Sequence, residues 1–260
     1  MVDRQQQRTT QQALVNAQFG ARADAYVASP VHASGPDLDW MEAVVRGRGH
    51  DRLLDVGCGG GHVAYRLSAQ CNHVVACDLA PAMLAAVEAE AGRRGIANIE
   101  TIAAPAERLP FADAMFDCVA SRFSAHHWGD LTGGLREAAR VLKPGGQALF
   151  VDGRSPGLPL LDTHLQAIEL LRDPSHVRDY ATAEWLAALE GAGFVPVAVV
   201  THQLRMDFAQ WIARMHTPPA IAQAIRYLQD HLPEDARRHF AVEPDGSFLL
   251  DTLWIEARRR

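Results

Sequence analysis

The sequence predicts an α/β fold built on a doubly wound, mostly parallel sheet, and three observations carry that expectation. Short apolar runs alternate with helix-like segments through residues 36–153, and parallel strands need crossover helices of that length. The stretch "LLDVGCGGGHVAYRL", residues 53–67, sets a glycine-rich turn between a buried strand and a helix. An acidic residue, Asp78, closes the next apolar run, "HVVACD". In such sheets the turn after the first strand faces the crevice where ligands bind.

The elements follow in order. "DLDWMEAVVRGRG" reads as a helix ended by glycine, "DRLLDVG" as a strand, "GHVAYRLSAQ" as a helix and "HVVACD" as the second strand. "PAMLAAVEAEAGRRG" has proline in its first turn and glycine past its end, the asymmetry of a helix. "NIETIAA" and "MFDCVAS" are two more strands, and the helix "DLTGGLREAARVL" closes in a "KPGG" turn before the fifth strand, "QALFVD". Beyond it, "PLLDTHLQAIELLRD" and "AEWLAALEGAGF" read as helices, the second with Thr182 as N-cap. "FVPVAVVTHQLRMDF" and "SFLLDTLWIEARR" supply the sixth and seventh strands, with "AQWIARMHT" and "PPAIAQAIRYLQDHL" as helices between them. No repeat or linker interrupts residues 1–260, so one domain is the expectation.

Composition narrows the function. The 48% apolar and 22% charged fractions are those of an ordinary soluble protein. A net charge of −6 argues against nucleic acid and anionic membrane, which reward a basic surface. The four cysteines, Cys58, Cys71, Cys77 and Cys118, form no CxxC pair and read as buried thiols of a reducing cytoplasm. No stretch has signal-peptide or bilayer-spanning length, so a cytoplasmic location is expected. Lys143 is the only lysine and sits in the "KPGG" turn, a poor place for Schiff-base chemistry.

The glycine turn discriminates between ligands. A dinucleotide fingerprint, GxGxxG, needs a third glycine for close helix packing. Counting from Gly57, that sixth position is His62. What remains is Asp55-x-Gly57-x-Gly59-x-Gly61, which with "VVACDLAPAML", "PAERLPF", "MFDCVASRFSAHHW" and "EAARVLKPGGQALFVD" in that order resembles the class I S-adenosylmethionine-dependent methyltransferases. The resemblance covers about residues 45–155 and implies a seven-stranded, Rossmann-like sheet with helices on both faces. It also implies a helical lid over residues 1–35, a cofactor-binding core over 36–153 and a substrate-side half with helical insertions over 154–260.

The resemblance also implies roles. Asp55 and the backbone of Gly57 and Gly59 would hold the amino-acid end of S-adenosylmethionine. Asp78, about 20 residues past the glycines, would bind the ribose diol, with Leu79 and Met83 beside the ring system. Ala106 and Glu107 would border the adenine, and the Ser121 carbonyl would meet the methionine ammonium. Pro105 stands where the family commonly has an aspartate, which removes one contact to the adenine amino group. Each residue also has a plainer reading: Asp55 as a helix cap, Asp78 as a turn residue, Met83 as core.

"SRFSAHHW" lacks the Asn/Asp-Pro-Pro-Tyr-type turn of DNA adenine methyltransferases and resembles instead the small-molecule branch related to ubiquinone and menaquinone C-methyltransferases. The expected activity is methyl transfer to a small aromatic or heteroaromatic acceptor at carbon, oxygen or nitrogen, leaving S-adenosylhomocysteine. An NAD-dependent oxidoreductase and a non-catalytic binding module are the alternatives on the same fold. Tyr26, His32, Arg122, Trp211 and Arg214 are the candidate acceptor-binding residues; the arginines could equally sit in surface ion pairs, and Trp211 in core. His126, His127 and His176 are the candidate proton acceptors. Two adjacent histidines should point in different directions, so at most one of His126 and His127 should face the acceptor. No metal site is readable, Asp152 at the end of the fifth strand being the one position that invites a test with a cation. Small-molecule partners, without nucleic acid or membrane, and a monomer or homodimer complete the expectation.

Overall fold

The computed structural model describes residues 10–20, 22, 23, 27 and 33–260. Its strands are β1 (Arg52–Val56), β2 (His73–Asp78), β3 (Ile99–Ala103), β4 (Phe116–Arg122), β5 (Leu142–Gly153), β6 (Phe194–Met206) and β7 (Phe248–Arg259). They form one sheet in the order β3-β2-β1-β4-β5-β7-β6. β1 pairs parallel with β2 and β4, β4 with β5 and β2 with β3, whereas β7 lies antiparallel between β5 and β6. The chain winds outward from β1 to β3 and then returns beside β1 as β4. The carboxyl ends of β1 and β4 therefore flank the topological switch point, where a crevice opens.

The helices are α1 (Gln11–Gly20), α2 (Pro36–Val45), α3 (His62–Leu67), α4 (Pro81–Arg93), α5 (Leu131–Val141), α6 (Pro159–Arg172), α7 (Thr182–Gly191), α8 (Phe208–Arg214), α9 (Pro219–Asp230) and α10 (Glu234–His239). The central strands are buried on both faces, as parallel strands under helices must be. The period of two is visible in β1: Leu54 belongs to the apolar cluster with Phe150, Trp185 and Ile255, and its neighbour Leu53 to the one with Met41, Val74 and Leu149. A third cluster joins α6, α8, α9 and α10 through Leu165, Trp211, Ile225 and Ala236. Met83 and Ala80 of the β2–α4 region pack with Ala23 and Phe19, which seats α1 over the end of the sheet.

Local chemistry modifies three expectations. "KPGG" does not close α5 before the strand: β5 pairs Leu142 with Phe116 and resumes at Gln147 with Cys118, so residues 143–146 bulge out of the ladder. Lys143 is tied there to Asp117 at 2.6 Å. Thr182 is the first residue of α7 and not its cap; Ala181 holds that position, and the Glu184 carboxylate accepts its backbone N–H at 2.8 Å. The short α10 escaped the sequence reading because six residues, Glu234–His239, carry too little periodicity to register. All four cysteines are free and buried. Among the described residues no helix is long and apolar enough to cross a membrane.

α5 starts at Asp130, whose carboxylate accepts the Gly133 N–H at 2.9 Å. Asp130→Ala should cost ~1 kcal/mol of stability, read as a lower denaturant midpoint with an unchanged slope; no change in midpoint would mean that water caps this helix equally well.

Candidate active site

A cavity of about 470 Å³ opens at the ends of β1 and β2, roofed by Gln11, Val15 and Phe19 of α1. Asp55, Gly57, Gly59, Asp78, Leu79, Met83, Ala106 and Glu107 all lie on its wall. The loop leaves β1 through Gly57 at φ 68, and an added Cβ there would fall on the Ser124 hydroxyl. Both the left-handed backbone and this approach require glycine. Asp55 is buried; one carboxylate oxygen accepts the Ala64 N–H at 3.2 Å and the other, Oδ1, has no hydrogen-bond partner. Burial raises its pKa to about 7, against the pull of that N–H and with the Asp78 charge adding. Asp78 accepts N–H groups from Gly59 at 2.9 Å and Ala80 at 3.0 Å, and burial raises it too. An orphaned buried acceptor and a bare glycine cradle fit the ammonium and chain of S-adenosylmethionine, with Asp78 placed for vicinal hydroxyls.

A second cavity of about 210 Å³, the inner cavity, adjoins the first among His126, Arg172, Trp211, Arg214, Leu250 and Trp254. The two cavities share Phe19, Arg122, Phe123 and His127. Phe123 is held at φ 49, a left-handed conformation rare for an aromatic residue. His202 stacks on Trp254 with centroids 3.7 Å apart, and both line the inner cavity. Trp211 is fully buried, and its indole N–H has no hydrogen-bond partner. Arg122 is ion-paired with the buried Asp37 and Arg172 with Glu169, the latter at 3.1 Å.

The histidines form one cluster. His126 and His127 occupy a short helical turn after β4, their rings 4.1 Å apart, and the His176 ring lies tilted 5.7 Å from that of His126. Burial lowers the His126 pKa, but the charge and hydrogen bond of Asp152, 2.5 Å from Nδ1, outweigh it and hold the ring at about 9. His127 is lowered to about 3 by burial and by the neighbouring His126 charge. Its Nδ1 lies 3.1 Å from the Ser175 carbonyl, an acceptor only, so Nδ1 carries the proton. Nε2 is then the lone-pair nitrogen, with the nearest carboxylate, Asp173, 3.9 Å away.

Several expectations change on this geometry. His126 and His127 both line the inner cavity instead of diverging, because each ring is drawn in by its own tertiary partner, His126 by Asp152 and His127 by the Ser175 carbonyl. His176 is on neither cavity wall; its Nε2 meets Gln166 at 2.9 Å behind His126. Ser121 is not on the cofactor-side wall either, and its hydroxyl donates to the Val56 carbonyl at 2.8 Å, tying β4 to β1. Glu107 also serves the fold, accepting the Gly129 N–H at 2.8 Å. Arg122 and Arg214 both line the inner cavity, although Arg122 is committed to Asp37. Trp211 belongs at once to the core and to the cavity wall. Tyr26 and His32 lie outside the described residues. Sequence reasoning missed Ser124, whose hydroxyl accepts the Trp128 indole N–H at 3.1 Å, and Asp179, which joins His126 and Asp152 across 27 residues.

Comparison with known proteins agrees with this architecture. The model of a family described as "Methyltransferase domain" matches residues 54–150. The chain is 42% identical over 203 residues to the uncharacterized protein YafE of Escherichia coli K12, covering 78% of this chain and 98% of that one. It is 32% identical over 247 residues to the uncharacterized methyltransferase YcgJ of Bacillus subtilis, covering 93% and 98%. The crystal structure of YcgJ superposes with a TM-score of 0.81 over 86% of this chain and 98% of that one, at 32% identity. The ubiquinone/menaquinone biosynthesis C-methyltransferase UbiE of Brucella anthropi is 34% identical over 161 residues, 58% of this chain and 61% of that one. With this sheet order and these relatives, the chain is an enzyme of the class I S-adenosylmethionine-dependent methyltransferase family.

Proposed function

We propose that this enzyme methylates a small aromatic acceptor held in the inner cavity. The observation that carries the reading is the wall shared by the two cavities, Phe19, Arg122, Phe123 and His127, where donor and acceptor would meet. S-adenosylmethionine supplies an activated methyl group on a sulfonium, so the protein's task is alignment, exclusion of water and removal of any acceptor proton. Size favours a single ring: a cavity of about 150 Å³ accommodates benzene, and the inner one is about 210 Å³. Trp254 with its stacked His202 offers an apolar platform for that ring. UbiE, named for C-methylation in ubiquinone and menaquinone biosynthesis, is consistent with a cyclic acceptor.

His127 is the residue placed to receive a proton. Its tautomer is set by Ser175, its Nε2 lone pair is open, and its ring lies on the shared wall with Phe19 packed edge-on 4.9 Å away. His127→Asn should lower kcat by about 10²- to 10⁴-fold for acceptors that lose a proton, with S-adenosylhomocysteine affinity little changed. Equal losses in kcat and in cofactor affinity would make His127 a binding residue instead.

Calorimetric titration with S-adenosylmethionine, S-adenosylhomocysteine and NAD tests the cofactor assignment. Both adenosyl ligands should bind and NAD should not, and Asp78→Ala should abolish that binding. NAD binding alone would sink the reading. Asp55 adds a pH dependence with a definite sign. Its carboxyl is raised from 3.8 to about 7, so in the free enzyme its stabilising contribution is complete below 3.8 and lost as pH rises through 7. A bound ammonium needs the ionised form, so S-adenosylmethionine affinity should rise with pH, by about tenfold per unit below the Asp55 pKa. Methylthioadenosine, which lacks the amino-acid end, should show no such slope; an equal slope for both would assign the titration to Asp78.

A further inference from the structure

We infer that His126, Asp152 and Asp179 form a binding site for one divalent transition-metal ion at the edge of the inner cavity. One ligand atom from each residue lies within 4.8 Å of the others. An imidazole nitrogen with two carboxylates is a donor set suited to Mn²⁺, Fe²⁺ or Zn²⁺. The set comes from three separate places: the turn after β4, the end of β5 and the segment before α7.

Two observations point to an ion beyond the grouping itself. The Asp179 side chain is buried, and its Oδ2 has no hydrogen-bond partner. An unpaired carboxylate oxygen beside a second buried carboxylate is costly unless a cation meets it. The other observation is Gly153. Its φ lies outside the left-handed region, so the backbone does not demand glycine, yet a Cβ at this position would overlap Asp179 Oδ1. The missing side chain is what admits Asp179 beside Asp152.

The surrounding groups leave the negative charge uncompensated. Glu169 is matched by Arg172, and Asp173 accepts the N–H and hydroxyl of Ser175 at 2.8 and 2.6 Å. His176 faces Gln166 and brings no second imidazole nitrogen to the set. Against the two carboxyl groups of Asp152 and Asp179, the set holds one basic side chain, His126. The neighbours orient the Asp152 carboxylate: Oδ2 accepts the His126 backbone N–H at 3.2 Å, and Oδ1 accepts the Gly153 N–H at 2.8 Å and lies 2.5 Å from His126 Nδ1.

His126 and Gly153 line the inner cavity, so an ion here has open positions within reach of an acceptor oxygen. That use, though not the binding of the ion, rests on the acceptor reading above. A metal-bound phenol or enol oxygen would lose its proton more readily and present an anion to the shared wall.

The test uses the full chain, freed of metal by a chelator and titrated with Mn²⁺ and Zn²⁺ without cofactor or acceptor. One equivalent should bind, and Asp179→Asn should weaken it by at least about tenfold while S-adenosylhomocysteine affinity is retained. Spin-echo modulation of bound Mn²⁺ in the unaltered chain should report one imidazole nitrogen, a readout independent of how any variant folds. Failure of the unaltered chain to bind either ion at millimolar concentration would overturn the site. So would equal affinity in Asp179→Asn, or bound Mn²⁺ without nitrogen coupling. Because no adenosyl ligand takes part, a negative result here leaves the methyl-transfer reading intact.

Discussion

The contact between the loop after β1 and the loop after β4 governs the rest of the site. Gly57 has no side chain, and the Ser124 hydroxyl occupies the place where one would stand. That closure brings the end of the central strand against the turn bearing Phe123, His126 and His127. Trp128 locks it by donating its indole N–H to Ser124, and its ring packs against Gly134 of α5. Within β4, the Ser121 hydroxyl adds a second tie, to the Val56 carbonyl. The sheet order makes the contact possible, since β1 and β4 are neighbours only because the chain reverses direction at the switch point.

Two electrostatic environments sit on either side of that junction. On the cofactor side, burial raises the carboxyls of Asp55 and Asp78 above their usual range, so a ligand carrying a sulfonium and an ammonium would favour the ionised form that burial opposes. On the acceptor side, imidazoles, carboxylates and arginines interleave, and most of their charges are already matched within the protein. Arg122 illustrates the difference. It touches both cavities, yet Asp37 neutralises it, so its guanidinium acts as a wall held over the Phe123 ring more than as a clamp for a substrate anion. On the proposed reading, the small inner volume and the aromatic slab of Trp254 and His202 would select the acceptor by shape.

The cofactor side was largely legible in the sequence because its residues are local. Asp55, Gly57 and Gly59 lie at the end of one strand and in the turn after it, and Asp78, Leu79 and Met83 at the end of the next and just beyond, so spacing along the chain translates directly into position. Ser121 shows the limit: one residue decides whether a strand end reaches the cavity, and here the wall begins at Arg122. The acceptor side is assembled from α1, the turn after β4, β7 and the segment before α7, whose proximity depends on tertiary packing. Nothing in "RDPSHVRDY" marks Asp179 as the residue meeting Asp152, nor distinguishes it from Asp173, which serves Ser175. The adjacent histidines meet at one cavity for a tertiary reason that spacing does not carry: His126 is held by Asp152 and His127 by the Ser175 carbonyl, partners 26 and 48 residues away.

A crystal structure of the enzyme with S-adenosylhomocysteine and a monocyclic phenol tests the central claim most directly. The account predicts the homocysteine sulfur at the junction of the two cavities, bordered by Phe123 and His127, with the phenol ring beyond it against Trp254. An adenosyl ligand whose sulfur points away from that junction, or a phenol excluded from the inner cavity, would contradict it.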